Sequence, residues 1–210
     1  ASELTFGNNG FLIEGKASVS TGTDKNVTGY SPGSVVIVDA PYITRGADLT
    51  GIANGNTGLI SIWVKFGSDG STNEYLWGAT TDNNEIQVYR RTDNKIWVLI
   101  QDDGDNGDLF LKTGETVTVS DGWTHLLISW DVSAGYSDIY IDDAQSSLSL
   151  DTTTSGGLDY THANHNFFAN DAGSARFIGE AADYWLTVNQ DRFELTTESN
   201  RRKFINADKT

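Results

Sequence analysis

The chain has 210 residues, a formal net charge of −15, no cysteine and an 11% share of aromatic residues. The missing cysteine excludes disulfides, thiolate metal sites and thiol nucleophiles. The acidity argues against binding to nucleic acid and to anionic membrane surfaces, because both interactions need basic patches. No apolar run is long enough to cross a bilayer, so we expect no membrane insertion. The length suits one all-β domain, and we interpret residues 1–210 as a single domain.

Hydrophobic residues alternate with polar ones along many short stretches, which is typical of half-buried strands. Residues 59–66 alternate most clearly. Ile60, Ile62, Val64 and Phe66 are expected on the core face, and Ser61, Trp63 and Lys65 on the outward face. Further strands are predicted at residues 35–38, 85–90, 95–100, 109–112, 116–119, 122–131, 137–143, 176–179, 184–188 and 192–195. Residues 91–94 are predicted to join 85–90 and 95–100 in a hairpin. Within 122–131, Leu126, Ile128 and Trp130 are expected on one face, and His125 and Ser129 on the other. An edge strand from residues 1–50 is expected to pair with the last strand. So many short strands, separated by turn residues, predict an antiparallel β-sandwich or jelly roll.

The end of the chain predicts one short helix over residues 197–206. Thr196 or Thr197 can cap its amino end, and Glu198 lies favourably in its first turn. Arg201, Arg202 and Lys203 follow in sequence. This basic run can dock the segment on an acidic neighbour, or it can simply complement the dipole of the helix.

Two stretches resemble laminin G-like domains of the concanavalin A-like lectin/glucanase superfamily. The run Gly122-Trp123-Thr124-His125, its strand to Asp131 and the segment 137–143 are similar to a "Trp-x-His, strand, Asp, turn, Tyr-x-Asp-Gly" signature. Residues 196–208, with Asn-Arg-Arg-Lys-Phe-Ile-Asn-Ala at their centre, resemble the closing segment of such domains in bacteriophage structural proteins. The resemblance covers residues 55–208. It implies a concanavalin A-like sandwich built for binding, on the surface of a virion assembled in the host cytoplasm.

Glycosidases of the family that this chain resembles carry a Glu-x-Asp-x-(x)-Glu strand, which places two carboxylates beside the sugar. No such run occurs here. The nearest candidate pairs Asp138 with Asp142, but Asp142-Asp143 stands where the family has a hairpin turn. We therefore predict that the protein is not an enzyme. The resemblance makes His125 a structural hydrogen-bonding group rather than a base.

A dense set of oxygen ligands lies between two predicted strands, and calcium prefers such ligands on a flexible loop. The candidate metal ligands are Asp102, Asp103, Asp105, Asn106 and Asp108. Laminin G-like domains often bind calcium at the rim of the sandwich, so calcium is a candidate cofactor. The alternative is a solvated acidic turn, since the spacing of an EF-hand is not met. His162 and His165 have no third ligand in sequence, so a polar loop is favoured there over a metal site.

Several aromatic residues fall on outward strand faces, where polar residues alternate with them. Aromatic rings can pack against the C–H faces of sugars, with nearby polar groups fixing the orientation. The candidate carbohydrate-binding residues are Trp63, Tyr89, Trp97, Tyr140 and Trp185. The polar residues expected beside them are Gln87, Arg91, Lys95, Gln101, Asp138 and Asp183. The alternative is that these aromatic rings fill a second core layer beneath loops.

The sequence therefore predicts a non-enzymatic component of a bacteriophage virion that adheres to carbohydrate on its host. The expected partners are other virion proteins, bacterial surface glycans and further copies of the chain. The alternative is a decoration or cement protein without sugar recognition, docked through Arg201, Arg202, Lys203 and the N-terminal strands. Glycan binding would favour the first prediction, and salt-sensitive binding to capsid or tail protein would favour the second.

Overall fold

A computed structural model describes residues 11–13, 35–37, 42–46, 49, 53–81, 84–102, 108–154 and 156–207. These residues form strands and one short helix, α1 (Glu198–Arg201). The strands are β1 (Phe11–Ile13), β2 (Val35–Ile37), β3 (Ile43–Arg45), β4 (Thr57–Phe66), β5 (Glu74–Thr81), β6 (Asn84–Arg90), β7 (Ile96–Gln101), β8 (Asp108–Thr113), β9 (Thr124–Asp131), β10 (Tyr136–Ile141), β11 (Ala144–Gln145), β12 (Leu148–Thr153), β13 (His165–Phe167) and β14 (Gly179–Val188). None of the described helical residues forms a helix long enough to cross a bilayer.

The strands make two antiparallel sheets of seven strands each. The first sheet has the order β1-β14-β4-β9-β10-β11, with β2 also paired to β14. The second sheet has the order β12-β8-β7-β6-β5-β13-β3. The predicted antiparallel sandwich with a short C-terminal helix is confirmed. Both N-terminal strands β1 and β2 pair with β14, the last strand of the structure, where the sequence predicted one such strand.

The two sheets share one apolar core, which the period-two alternation of the strands creates. Ile60 and Ile62 of β4 face Ile128 of β9 and the aliphatic side of β7 within a single buried cluster. Burying a large apolar side chain in such a core stabilises the folded state by about 1.5–3 kcal/mol. The inward and outward faces predicted for residues 59–66 and 122–131 are those of the structure.

A buried ion pair closes one end of the sandwich. Arg90 donates through its Nε to Glu74 Oε2 at 3.0 Å and through Nη1 to the carbonyl of Val117 at 2.9 Å. Its guanidinium lies 4.0 Å from the centre of the Phe66 ring. Burial raises the pKa of Glu74, although Arg90 opposes that change. Removing either partner would leave an uncompensated charge in the core, which costs about 3–5 kcal/mol.

Three predicted strands differ from the structure. Residues 116–119 lead into a 3₁₀ turn, because Asp121 Oδ2 accepts the amide of Thr118 at 2.7 Å and satisfies the backbone locally. Residues 192–195 cross the first sheet instead of joining it. Residues 176–179 are not a separate strand: β14 begins at Gly179, and Arg176 makes only an isolated bridge with Ala169. Strand β5 was not predicted from the sequence, and a bulge between Tyr75 and Trp77 interrupts its alternation.

Two turns follow the sequence prediction closely. Asp142 and Asp143 have φ angles of 50° and 63°, the pair of positive values that a tight type I′ hairpin requires. The turn between β6 and β7 is closed by the amide of Arg91, which donates to the carbonyl of Lys95 at 2.9 Å. The C-terminal helix is shorter than predicted, with four residues, and hydrogen-bonded turns continue the chain to Ile205.

Candidate functional site

The structure divides the five aromatic candidates between opposite sides of the sandwich. Trp63, Tyr140 and Trp185 lie on the outer face of the first sheet, on β4, β10 and β14. Tyr89 and Trp97 lie on the outer face of the second sheet, on β6 and β7. One binding surface therefore cannot contain all five residues.

The outer face of the first sheet is covered by residues 191–207, which we call the C-terminal arm. Trp63, Tyr140 and Trp185 are only 2%, 6% and 7% exposed. They belong to two small clusters beneath the arm. One contains Leu59, Leu127, Tyr140, Trp185 and Leu195 with Phe193 and Phe204, and the other contains Trp63, Trp123, Ala182 and Ile205. These three aromatic side chains form a second core layer, so we leave them out of the candidate site.

The outer face of the second sheet carries an aromatic ladder made of Tyr75, Tyr89 and Trp97. The three residues are direct neighbours in the register of β5, β6 and β7. The rings of Tyr75 and Tyr89 stack at 4.9 Å, and those of Tyr89 and Trp97 at 6.4 Å. Stacking leaves the two tyrosines nearly buried, whereas Trp97 is half-buried. Burial also raises the pKa of Tyr75 and of Tyr89, so both phenols stay neutral.

Two cations approach the ring of Trp97. The guanidinium carbon of Arg91 lies 4.7 Å from the ring centre, and the ammonium nitrogen of Lys112 lies 4.8 Å from it. Lys112 is also paired with Asp93 at 2.9 Å. Burial of the Asp93 carboxyl raises its pKa, but hydrogen bonds from Lys112 and from the Lys95 amide outweigh this and leave the pKa below its ordinary value. The aspartate is therefore charged at neutral pH, and it holds the lysine beside the indole.

A second row of side chains crosses the same face next to the ladder. Gln87, Leu99 and Phe110 are in register on β6, β7 and β8, and all three are half-buried. The amide of Gln87 donates to Glu85 at 2.7 Å, which fixes the orientation of the amide. Apolar patches next to oriented amide and charged groups can pack against the C–H faces of a sugar and bond its hydroxyl groups.

The predicted docking residues at the end of the chain bind the chain itself. Arg201 Nε and Arg202 Nη2 each donate to the Asp143 carboxylate at 2.6 Å. The guanidinium of Arg201 also lies 4.7 Å from the ring centre of Tyr140. Lys203 is exposed, with its ammonium group 4.8 Å from the ring of Phe193. The acidic neighbour that the basic run meets is thus the hairpin turn between β10 and β11, and docking to another protein stays a prediction.

The candidate calcium ligands are only partly described. Asp102 is 8% exposed at the end of β7, and Asp108 begins β8. Asp103, Asp105 and Asn106 lie outside the described residues. Among the described side chains, no group of three or more histidine or carboxylate residues is arranged to hold a metal ion. Calcium binding by this loop stays a prediction.

Three buried histidines have structural contacts. His125 shares a hydrogen bond of 2.9 Å with Ser61 Oγ and lies beneath the C-terminal arm. Burial lowers the pKa of His125 to about 3 and, together with the neighbouring His162, lowers that of His165 to about 4. His165 accepts a hydrogen bond of 3.2 Å from the indole of Trp77. All three rings are neutral at pH 7, and His125 has the structural role that the sequence suggested.

The carboxylates considered for catalysis are held in structural positions. Asp138 is 7% exposed and accepts a hydrogen bond of 2.7 Å from Gln145. Asp142 lies in the type I′ turn and accepts the amide of His125 at 2.8 Å. The turn interpretation of Asp142 is therefore confirmed. That the protein has no catalytic activity stays a prediction.

A polar groove of about 420 Å³ lies at one end of the sandwich, where β4 begins and β14 ends. Its lining consists of Gly55, Asn56, Thr57, Ser133, Asn189, Gln190 and Asp191. Thr57 Oγ1 donates to the carbonyl of Gln190 at 2.6 Å, which ties the two sides together. The groove contains no aromatic side chain, so it lacks the platform that the second sheet offers. Sequence analysis missed it because its residues come from three distant turns.

Sequence reasoning also missed Tyr75, Lys112 and Asp143. Tyr75 precedes the bulge of β5, so simple alternation does not predict its face. Lys112 could have been placed by extending the predicted pairing of the hairpin into the next strand, where it lies opposite Trp97. Asp143 gave no signal beyond its position in a turn, because its partners lie more than fifty residues later in the chain.

Comparison with models of protein families shows the family to which this chain belongs. A laminin G family model, described as the concanavalin A-like lectin/glucanases superfamily, matches residues 41–192. The chain belongs to this family. No curated protein sequence matches it.

Solved structures of the same fold include a sialyllactose-bound module and the binding domain of a neurotoxin. The CBM40 module of the Ruminococcus gnavus IT-sialidase, bound to α2,3-sialyllactose, has a TM-score of 0.56 at 13% identity, over 78% of this chain and 92% of the module. The binding domain of botulinum neurotoxin serotype D has a TM-score of 0.58 at 15% identity, over 94% of this chain and 47% of that domain. Domains LG4–5 of the mouse laminin α1 chain have a TM-score of 0.51 at 12% identity, over 73% and 40% of the two chains. At these identities the likeness establishes the fold alone.

Proposed function

We propose that this laminin G-like protein is a lectin-like adhesin that binds carbohydrate through the outer face of its second sheet. The site is centred on Trp97, with Leu99 and Phe110 as an apolar floor and Gln87 as a polar neighbour. Tyr75 and Tyr89 support Trp97 from the side by stacking. The protein binds the sugar without cleaving it, because its buried carboxylates are engaged in turns and hydrogen bonds.

One observation carries the proposal: the two outer faces of the sandwich carry similar aromatic residues, but within the described part of the chain only the first is covered by another segment, the C-terminal arm. On the second sheet, the apolar side chains of Trp97, Leu99 and Phe110 are only half-buried. Exposed apolar surface that is bordered by polar groups is typical of a ligand-binding surface. The CBM40 module bound to sialyllactose and the binding domain of the neurotoxin support this use of the fold.

The test is binding of labelled protein to a glycan array and to bacterial envelopes. Trp97→Ala should lower the affinity about tenfold, because the variant loses both the buried apolar area and the contact of the ring with the C–H face of the sugar, together roughly 1.4 kcal/mol. Phe193→Ala is the matched control, because it also removes a half-buried aromatic side chain but lies on the C-terminal arm. An equal loss of glycan affinity in both variants, or no glycan binding by the unmodified protein, would contradict the proposal. Repeating the assay with calcium and with a chelator tests the acidic loop at residues 102–108.

We also propose that the protein is exposed on a bacteriophage virion. The support is the resemblance of residues 196–208 to the closing segment of phage structural proteins. Mass spectrometry of purified particles from the encoding phage or prophage should detect the chain, and immunogold labelling should place it on the outside. Its absence from purified particles would remove this part of the proposal and leave the lectin part standing.

The decoration or cement protein remains the alternative function. This alternative assigns docking to the basic run at the end of the chain. Two of the three cations in that run are paired with Asp143. The contacts therefore favour adhesion over docking through this run. Binding of the protein to isolated capsid or tail protein, lost in high salt, would favour the alternative.

A further inference from the structure

We infer that the Trp97 site selects anionic sugars, with Arg91 as the residue that recognises the negative group. This inference rests on the proposed carbohydrate-binding function and names the class of glycan. The relevant groups are Arg91 and Lys112, which lie beside the indole of Trp97, together with Asp93, which pairs with Lys112, and Lys95, which lies two residues before Trp97.

The cations of this cluster differ in how their charges are compensated. Lys112 is paired with Asp93 at 2.9 Å, and the ammonium group of Lys95 donates to the carbonyl of Gly114 at 2.7 Å. Arg91 is exposed, its guanidinium lies over the ring of Trp97, and it makes no ion pair with a described carboxylate. Its five N–H donors are therefore available to a ligand.

An arginine without a carboxylate partner among the described residues is notable in a chain of net charge −15. Four other described arginines each contact a carboxylate: Arg90, Arg192, Arg201 and Arg202. Within this cluster Arg91, Lys112 and Lys95 stand against one carboxylate, that of Asp93, while the carboxylate of Glu85, further along β6, accepts the amide of Gln87. Among the described residues, the immediate surroundings of Trp97 are therefore locally positive on an acidic protein. Such a patch attracts an anionic ligand, and the rest of the surface repels it.

The geometry connects this charge to the sugar platform. Both cationic groups lie within 5 Å of the centre of the indole ring, so a ligand that packs on Trp97 also meets one of them. The hydroxyl groups of a neutral sugar would compensate the desolvation of these charges only with neutral acceptors. A carboxylate or phosphate group would instead accept two parallel hydrogen bonds from the planar guanidinium, which are stronger than bonds between neutral groups.

The experiment compares three polymers that differ in charge: polygalacturonate, the same polymer after reduction of its carboxyl groups, and poly(glycerol phosphate). The glycan array of the proposed function is scored in parallel for acidic and neutral members. We expect that the glycans bound carry carboxylate or phosphate, and that removing the charge chemically abolishes their binding. The two charged polymers separate carboxylate recognition from phosphate recognition.

Arg91→Ala should weaken the binding of acidic glycans by about ten- to a hundredfold, as expected for a lost charge-assisted hydrogen bond. Arg91→Lys should recover part of the affinity, because it keeps the charge but loses the fork of donors. Arg192→Ala is the matched control, since Arg192 also lies over an aromatic ring, that of Tyr136 at 5.2 Å, but on the other side of the molecule. It should change the affinity less than twofold.

Binding to neutral glycans that Trp97→Ala abolishes and Arg91→Ala leaves unchanged would overturn the inference and keep the proposed function. Preference for acidic glycans with equal losses in the Arg91 and Arg192 variants would also overturn it, because the selectivity would then come from overall charge. No binding to any glycan would overturn both proposals together.

Discussion

The two outer faces of this sandwich begin from the same sequence pattern and end in different states. On the first sheet, the outward aromatic residues are buried beneath the C-terminal arm, which adds Phe193, Leu195, Phe204 and Ile205 to them. On the second sheet, the outward aromatic residues stack on one another, and Trp97 stays half-exposed beside Arg91 and Lys112. One face has become core, and the other has kept its ring available to a ligand.

The difference teaches that alternation defines which side chains leave the core, but not what they meet outside it. Trp185 and Trp97 both follow the outward phase of their strands. The first packs edge-on against Phe204 at 6.1 Å, about twenty residues later in the chain. The second packs against its neighbours within the sheet. Assigning function to an outward aromatic residue therefore requires knowledge of the segments that cross the sheet.

The largest expected difference between the faces is in stability. Trp185→Ala should lower the free energy of unfolding by about 3–5 kcal/mol, because it leaves a cavity beneath the arm. Trp97→Ala should cost only about 1 kcal/mol, since its site is open to water. Urea denaturation of the two variants measures both values. Equal costs would mean that the second face is as much a part of the core as the first.

Acid should weaken the covered face through His125. Burial lowers the pKa of this histidine from 6.5 to about 3, so the folded state resists protonation while the unfolded chain accepts a proton. Its contribution to stability is complete above pH 6.5 and is lost as the pH falls toward 3. Between pH 7 and pH 5 this loss is roughly 2 kcal/mol.

The histidine contribution can be measured by urea denaturation at the two pH values. His125→Gln keeps a hydrogen-bonding group near Ser61 but cannot titrate, so the variant should lose less stability on acidification than the unmodified protein. His165→Gln serves as a comparison on the second sheet, where burial also lowers the pKa, to about 4. An identical pH dependence in the His125 variant and the unmodified protein would show that this imidazole does not titrate on unfolding.

Much of the fold could be predicted from the sequence, because strands with a clean period of two report their own burial. The alternation of residues 59–66 predicted both strand β4 and its inward face, and Asp142-Asp143 predicted the turn between β10 and β11. The site was harder to predict. Tyr75 precedes a bulge that breaks the alternation, and the contact between Asp143 and Arg201 joins residues far apart in the chain. Such long-range pairs carry no local pattern, so only the folded structure could reveal that the basic run secures the arm.

The ion pairs of Asp143 with Arg201 and Arg202 hold the C-terminal arm on the first sheet, and we call them the clamp. Asp143→Asn should break this clamp. Burial of Asp143 raises its pKa, but hydrogen bonds from Arg202 and Arg201 lower it below the ordinary value. The ion pairs therefore contribute fully above about pH 4, and they are lost as the pH falls through the lowered pKa. At neutral pH the variant should lose about 1–2 kcal/mol, a value reduced from that of a buried pair because both arginines are partly exposed.

The arm itself reports the loss of the clamp. Trypsin should cleave after Arg201 and Arg202 faster in Asp143→Asn than in the unmodified protein, while cleavage after Arg91 stays constant. Hydrogen exchange should rise in residues 191–207 and not in β6–β8. If cleavage rose equally at all three arginines, the substitution would have loosened the whole sandwich rather than the arm.

The smallest expected effect on stability concerns Lys203, which distinguishes an arm that only covers its own sheet from one that also docks elsewhere. Arg201 and Arg202 are engaged by Asp143, whereas Lys203 is exposed and lies over Phe193. Lys203→Glu should change the free energy of unfolding by less than about 0.5 kcal/mol, as an exposed cation contributes little. It should also leave glycan binding unchanged, because the second sheet lies on the opposite side. Quantitative mass spectrometry of purified particles then measures incorporation of the variant. Unchanged incorporation means that the basic run serves only to hold the arm. A large loss of incorporation with intact folding would assign Lys203 to a contact with another virion protein.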